Sequence, residues 1–204
     1  MEALITPSIE WAVAELVQLG QSESGDRYVV LPSADGGLAA VVDGLGHGAE
    51  AASAAKVAVR ALERGAHRPV VQLFRDCHQS LIGTRGAVIS AAAFSGHDET
   101  MTWLGVGNVE GRLLRAPISA GPRMESLLLR GGVVGAHLPP LASEVVPIGR
   151  GDTLILATDG VRSDFLHAPF PHREPQALAD YILARWGTQT DDALVLVVHY
   201  LGPA

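Results

Sequence analysis

Two helix-like segments follow one another directly in a chain otherwise made of short strand-like segments, and this order constrains the fold more than any other feature. The apolar stretches RYVVLP and GGLAAVVDG precede the two helices, and GAVISAAAFSG follows them. The sequence predicts helices at 49–64 and 69–82, with Pro69 suited to a first turn, and a third helix at 174–186. Parallel sheets alternate strands with single helices, so we predict an α+β fold in which helices pack on antiparallel sheets.

The length and composition of the chain bound its class. With 204 residues, 48% of them hydrophobic, we expect one domain spanning 1–204. No apolar run approaches the roughly 18 residues that cross a bilayer, the N-terminal stretch lacks the basic start of a signal peptide, and Cys77 is the only cysteine. We therefore predict a cytoplasmic protein without a membrane partner. The net charge of −7 argues against nucleic-acid binding, which needs clustered positive charge.

Acidic residues stand at the ends of several apolar segments. Asp26 opens DRYVVLP, Asp43 closes LAAVVD, Asp159 closes TLILATD, and an Asp191–Asp192 pair precedes ALVLVV. One such acid alone is more typical of a turn or a helix cap. Several together predict a carboxylate cluster at the rim of a sheet. Oxygen ligands without cysteine favour Mg²⁺ or Mn²⁺, and a divalent cation removes the repulsion between the carboxylates.

The glycine after Asp43 fits the same interpretation. Gly44 has no Cβ, so a backbone carbonyl or a hydrated ion can come close to the strand end.

Five motifs occur along the chain: SGD at 24–26, VVDGLGHG at 41–48, WLGVGN at 103–108, LATDG at 156–160 and DDALVLVV at 191–198. Together, and in this order, they resemble the PP2C-like metal-dependent serine/threonine phosphatases. Within that family the closest branch looks like the small bacterial phosphatases of partner-switching stress signalling, especially the RsbX type. The resemblance covers nearly the whole chain and implies a PP2C-like sandwich of two antiparallel sheets flanked by helices.

The resemblance also implies an activity and a substrate class. The chain would remove phosphate from serine or threonine of a partner protein. That partner would be a STAS-domain protein of a bacterial stressosome-like signalling module. A phosphatase acting on an anti-sigma-factor antagonist is the alternative within the family, and a catalytically inactive PP2C-like binding module is the alternative outside the enzymes.

A metal site with two ions, Mn²⁺ or Mg²⁺, follows from the same resemblance. Asp43 would bridge the ions, and the carbonyl of Gly44 would assist directly or through water. Asp159 and Asp191 would complete the shell of one ion, which makes Asp43, Asp159 and Asp191 the expected catalytic residues. Asp26 would act nearby through water. No phosphoenzyme is implied, since water attacks the phosphorus directly.

Two adjacent acids precede the last apolar segment, and either could be the metal ligand. Adjacent residues of a strand point to opposite faces, so only one of Asp191 and Asp192 is expected to face the metals. The family motif places its ligand at the first position, which favours Asp191.

Two departures from the family pattern concern the substrate phosphate. The segment QSESGD before the first acid contains no arginine, and Leu45 stands where larger relatives carry a histidine. His47 lies four residues after Asp43 and is given no acid role.

The glycine-rich stretch also admits a second interpretation. GLGHGA at 44–49 fits the dinucleotide fingerprint G-x-G-x-x-A between a strand and a helix. That fingerprint requires a second parallel strand after the helix, whereas a second helix is predicted there. The stretch is therefore not taken as a dinucleotide site.

Overall fold

Strand pairing divides the protein into two sheets. The computed structural model describes residues 8–33, 35–116, 124–170 and 174–203. In chain order the strands are β1 (Ile9–Leu16), β2 (Asp26–Ser33), β3 (Gly36–Gly44), β4 (Ala87–Ser95), β5 (Thr100–Val106), β6 (Glu110–Leu114), β7 (Met124–Ser126), β8 (Leu129–Arg130), β9 (Glu144–Pro147), β10 (Thr153–Ala157) and β11 (Ala193–Tyr200). We call the sheet ordered β1-β11-β10-β6-β7 sheet A, and the sheet ordered β2-β3-β4-β5-β8 sheet B, in which β9 also pairs with β5.

The pairing confirms the predicted antiparallel architecture, with one exception among the described strands. The short strand β8 runs parallel to β5, where Gly105 is opposite Leu129. Every other strand pair is antiparallel.

The three predicted helices form within two residues of their expected limits. They are α1 (Gly48–Gly65), α2 (Val70–Leu81) and α3 (Pro175–Trp186). Proline precedes α2 at Pro69 and opens α3, where a missing backbone N–H costs nothing. No helix in the described parts of the chain is long and apolar enough to cross a membrane.

The side chains of each central strand divide between two hydrophobic layers. In β3, Leu38, Ala40 and Val42 pack with α1 and α2 on the outer face of sheet B. Ala39 and Val41 pack in the layer between the two sheets. A third layer joins α3 to the outer face of sheet A. Because both faces of these strands are buried, they read as continuous apolar runs, and an acid at such a strand end stands out.

Candidate active site

The acids predicted from the sequence gather at one end of the two sheets. Asp26 begins β2 and Asp43 lies one residue before the end of β3, both in sheet B. Asp159 follows β10 and Asp191 precedes β11, which are antiparallel neighbours in sheet A, so the two residues meet at the same edge. All four line one cavity of about 450 Å³.

Asp26 and Asp43 face each other directly across the strand pair β2–β3. Asp43 shares the strand face of Ala39 and Val41, so it points into the space between the sheets. Asp26 is only 4% exposed. Like charges opposite each other in a sheet are destabilising unless something offsets their repulsion.

Burial and neighbouring carboxylates raise the pKa values of this pair. Burial raises the pKa of Asp26 to about 7, with the charges of Asp192, Asp159 and Asp191 adding to it and a hydrogen bond from Thr158 opposing it. Burial likewise raises the pKa of Asp43 to about 8, and the charge of Asp26 is the next cause. The metal-free protein therefore holds protons here near neutral pH, which a divalent cation would displace.

Thr158 anchors Asp26 across the two sheets. Its hydroxyl donates to Oδ2 of Asp26 at 2.6 Å and accepts from the backbone N–H of Leu194 at 2.9 Å. The residue before Asp159 thus fixes the orientation of a carboxylate on the opposite sheet. Sequence reasoning missed this role, although Thr158 lies inside the LATDG motif.

Asn108 positions Asp159. Its amide Nδ2 donates to Oδ2 of Asp159 at 2.8 Å from the connection between β5 and β6. Burial and the charge of Asp191 raise the pKa of Asp159, and the bond from Asn108 opposes that rise. The amide therefore favours the ionised carboxylate, the form that binds a cation.

The two acids before β11, Asp191 and Asp192, differ in the hydrogen bonds that they accept. Both Asp191 and Asp192 line the cavity, so the alternation of side chains does not turn one of them away. Asp192 is 4% exposed and accepts backbone N–H groups of Gln18 at 2.8 Å and Gly25 at 2.7 Å. It thereby holds the segment that leads into Asp26. Asp191 is exposed and accepts only the N–H of Asp192 among the described residues, so its carboxylate is the more available ligand.

The glycines after the acids serve backbone packing. A Cβ on Gly44 would overlap the carbonyl oxygen of Ala51 in α1, and a Cβ on Gly160 would overlap the carbonyl oxygen of Asp192. The expectation that Gly44 clears space for a backbone carbonyl holds, but the carbonyl belongs to α1. These glycines let the helix and the strand β11 approach closely enough to bring the acids together.

The donor set fits a hard divalent cation. The cavity offers carboxylate oxygens without cysteine, and the side chain of Asp43 has no hydrogen-bond partner among the described residues. In those residues no group of three or more His, Cys, Asp or Glu side chains already stands in a metal-holding arrangement. Carboxylates repel one another without a cation between them. We therefore expect them to form a complete coordination shell only when the cation and its water ligands are bound.

No lysine or arginine lines the cavity in the described part of the chain. His47 is exposed at the start of α1 and makes no side-chain cap. Leu45 and Gly46 follow the acid on the same loop. Gln18, which sequence reasoning did not single out, also lines the cavity.

Comparison with protein families supports the resemblance inferred from the motifs. The family model described as "Stage II sporulation protein E (SpoIIE)" matches residues 33–201. No curated protein sequence matches the chain.

Solved structures with the same fold include PP2C phosphatase domains. A chain from a structure of "the bacterial stressosome", described as "a modular system that has been adapted to control secondary messenger signaling", is 26% identical over 94% of this chain and 99% of that chain, with a TM-score of 0.85. RsbX in complex with magnesium is 21% identical over 94% of each chain, with a TM-score of 0.80. The catalytic domain of the serine/threonine phosphatase PstP with two manganese ions is 18% identical over 96% of this chain and all of that chain, with a TM-score of 0.68.

Proposed function

Because the chain belongs to the SpoIIE family and is homologous to PP2C-type serine/threonine phosphatases, we propose that it hydrolyses phosphoserine or phosphothreonine on a partner protein with Mn²⁺ or Mg²⁺. The observation that carries this proposal is the pair of Asp26, which is buried, and Asp43, which is half-buried; the two lie directly opposite in the sheet and at the same rim as Asp159 and Asp191. Such a pair is costly in a protein without a cation to bind.

Each side chain of the site has a defined part in this proposal. Asp43, Asp159 and Asp191 would hold the metal ions, the carbonyl of Gly44 would assist, and Asp26 would act from its buried position behind them. Bound divalent ions would neutralise phosphate charge and lower the pKa of water. The hydrogen bond from Asn108 favours the ionised form of Asp159, and Thr158 fixes the orientation of Asp26.

The partner we propose is a phosphorylated STAS-domain protein of a stressosome-like module. The similarity to a chain from a stressosome structure supports this choice. We propose further that residues 1–204 form one catalytic domain that acts in the cytoplasm. An anti-sigma-factor antagonist is the other substrate to test.

A panel of phosphorylated candidate partners tests the function. Each phosphoprotein is incubated with the protein and Mn²⁺, and loss of phosphate is followed on phosphate-affinity gels. Asp43→Asn is the matched control. We expect the STAS-domain scaffold protein to lose phosphate when it is incubated with the wild-type chain and to keep it when it is incubated with Asp43→Asn.

Other outcomes of the same panel would redirect the proposal. Loss of phosphate only from an anti-sigma-factor antagonist would replace the partner and keep the reaction. Binding of the phosphoproteins without release from any of them, or from p-nitrophenyl phosphate, would leave a binding module instead of an enzyme.

A further inference from the structure

The cavity is rich in carboxyl groups for a site that must admit a phosphate ester. Its lining includes Asp26, Asp43, Asp159, Asp191 and Asp192, and no lysine or arginine among the described residues. A phosphorylated side chain brings about 1.5 to 2 further negative charges at pH 7. Divalent ions offset part of this repulsion, but a cation at the rim would also attract and orient the substrate.

Arg85 brings a guanidinium to that rim. A Cβ on Gly46 would lie 2.6 Å from Nη1 of Arg85, so this nitrogen rests directly against Gly46. Gly46 is exposed and lines the cavity two residues from Gly44, which follows the acid Asp43. The side chain of Arg85 is 55% exposed, so it is accessible to a substrate in solution.

The backbone that carries Arg85 is held in place. The N–H of Leu45 donates to the carbonyl of Gly86 at 3.1 Å, which joins the segment before β4 to the loop after Asp43. The hydroxyl of Thr84 accepts from the N–H of Gly86 at 3.0 Å and donates to the carbonyl of Leu81 at 2.7 Å. The guanidinium therefore starts from a fixed point beside the cavity.

An anionic group of a substrate can displace the carboxylate that pairs with Arg85. Its Nε lies 2.5 Å from Oε2 of Glu50, whose side chain is 68% exposed. Exposed pairs of this kind contribute little to stability and are screened by salt. By contrast, Arg27 and Lys56 both pair with Glu23, and none of these three residues lines the cavity.

We propose that Arg85 is a substrate-binding residue, which takes an anionic group of the phosphoprotein at the rim after that group displaces Glu50. This inference rests on the phosphatase function proposed above and names one of its specificity determinants. The group is an oxyanion that accepts from the planar guanidinium fork. Its source is either a non-reacting oxygen of the phosphate or the carboxylate of an acidic residue beside the phosphoserine.

Steady-state kinetics of Arg85→Ala with Mn²⁺ test the proposal. The substrates are p-nitrophenyl phosphate and two phosphoserine peptides that differ only in acidic or neutral flanking residues. Arg75→Ala is the control, because it removes the same charge from an exposed position on α2. We expect Arg85→Ala to raise KM about tenfold with kcat retained, the effect of losing one charge-assisted hydrogen bond, and to reduce the salt dependence of KM.

Two further variants exclude a trivial loss of folding. Glu50→Gln frees the guanidinium and should lower KM, a change that a damaged fold would not produce. Arg85→Lys keeps the charge but loses the fork, so its KM should lie between those of the wild type and Arg85→Ala.

The substrates separate the two sources of the anion. A higher KM for all three substrates assigns Arg85 to the phosphate, and a higher KM for the acidic peptide alone assigns it to the flanking residue. KM values for Arg85→Ala that match Arg75→Ala with every substrate would overturn the proposal and leave the phosphatase function standing. If the wild-type chain releases no phosphate from any substrate, the proposed function fails and the role of Arg85 fails with it.

Discussion

Replacing Asp43 by Asn should stabilise the metal-free protein while it removes a metal ligand. Burial and the charge of Asp26 raise the pKa of Asp43 from 3.8 to about 8. The unfolded chain releases this proton near pH 4, whereas the folded protein retains it. The contribution of Asp43 to stability is therefore most favourable below about pH 4 and is lost as the pH rises towards 8. Asparagine does not ionise, so the variant escapes this loss.

The size of the effect follows from the same pKa values. One pKa unit corresponds to about 1.4 kcal/mol, so the interval from 3.8 to about 8 sets an upper limit of about 6 kcal/mol above pH 8. Asp43 shares its protons with Asp26, and water enters the cavity, so we expect about 2 kcal/mol. For a chain of this length that corresponds to a rise in Tm of about 4–8 °C.

Thermal unfolding in excess EDTA at pH 5, 7 and 9 measures this effect. The gain of Asp43→Asn over wild type should be small at pH 5 and largest at pH 9. Asp164→Asn, a change at an exposed acid of the short helix Ser163–His167, serves as the control and should show no such trend. With saturating Mn²⁺ the wild-type protein should gain more stability than the variant. An Asp43→Asn protein no more stable than wild type at pH 9 in EDTA would refute the reasoning.

The same geometry yields three further predictions. Asp191→Asn should raise the Mn²⁺ concentration needed for activity at unchanged Tm. Asp192→Asn should instead lower the Tm, because an amide nitrogen replaces one carboxylate oxygen and leaves one of the two buried N–H groups without an acceptor, at a cost of about 1–3 kcal/mol. Metal titration and thermal unfolding of both variants would expose a reversed order. Asn108→Ala should raise the pKa of Asp159 and weaken metal binding about 10–100-fold, with the largest loss at low pH. An unchanged affinity for Mn²⁺, measured by calorimetry, would contradict the role of the amide. Gly44→Ala should destabilise the fold by about 1–3 kcal/mol, because its Cβ would overlap the carbonyl oxygen of Ala51. Gly131→Ala is the control, since a Cβ at that position meets open space. Equal denaturation midpoints for the two variants would disprove the packing argument.

Local signals in the sequence were sufficient for the helices and for the position of the acids. Pro69 and the Glu174–Pro175 start mark helix beginnings by their backbone chemistry alone. Asp43 and Asp159 stand out because each interrupts an apolar run that is buried on both faces. These features depend on a few neighbouring residues, so one sequence is enough to detect them.

The remaining features depend on contacts between distant parts of the chain. Only three residues separate β5 from β6 along the chain, yet the two strands belong to different sheets. The bond from Thr158 to Asp26 joins residues 132 positions apart, and the contact between Arg85 and Gly46 also forms only after folding. The sequence predicted that a backbone carbonyl approaches Gly44, but it did not predict which one. That carbonyl belongs to Ala51 of α1, and no local pattern specifies how this helix packs.

Phosphate release by the EDTA-treated protein, measured on a phosphoserine substrate during titration with Mn²⁺ or Mg²⁺, tests the central claim most directly. The carboxylate cluster around Asp43 predicts no turnover without metal, saturable recovery as the metal is added, and no recovery in Asp43→Asn over the same range. Full turnover in excess EDTA, or full recovery of the Asp43→Asn variant, would contradict the claim that these carboxylates hold the metal that drives the reaction.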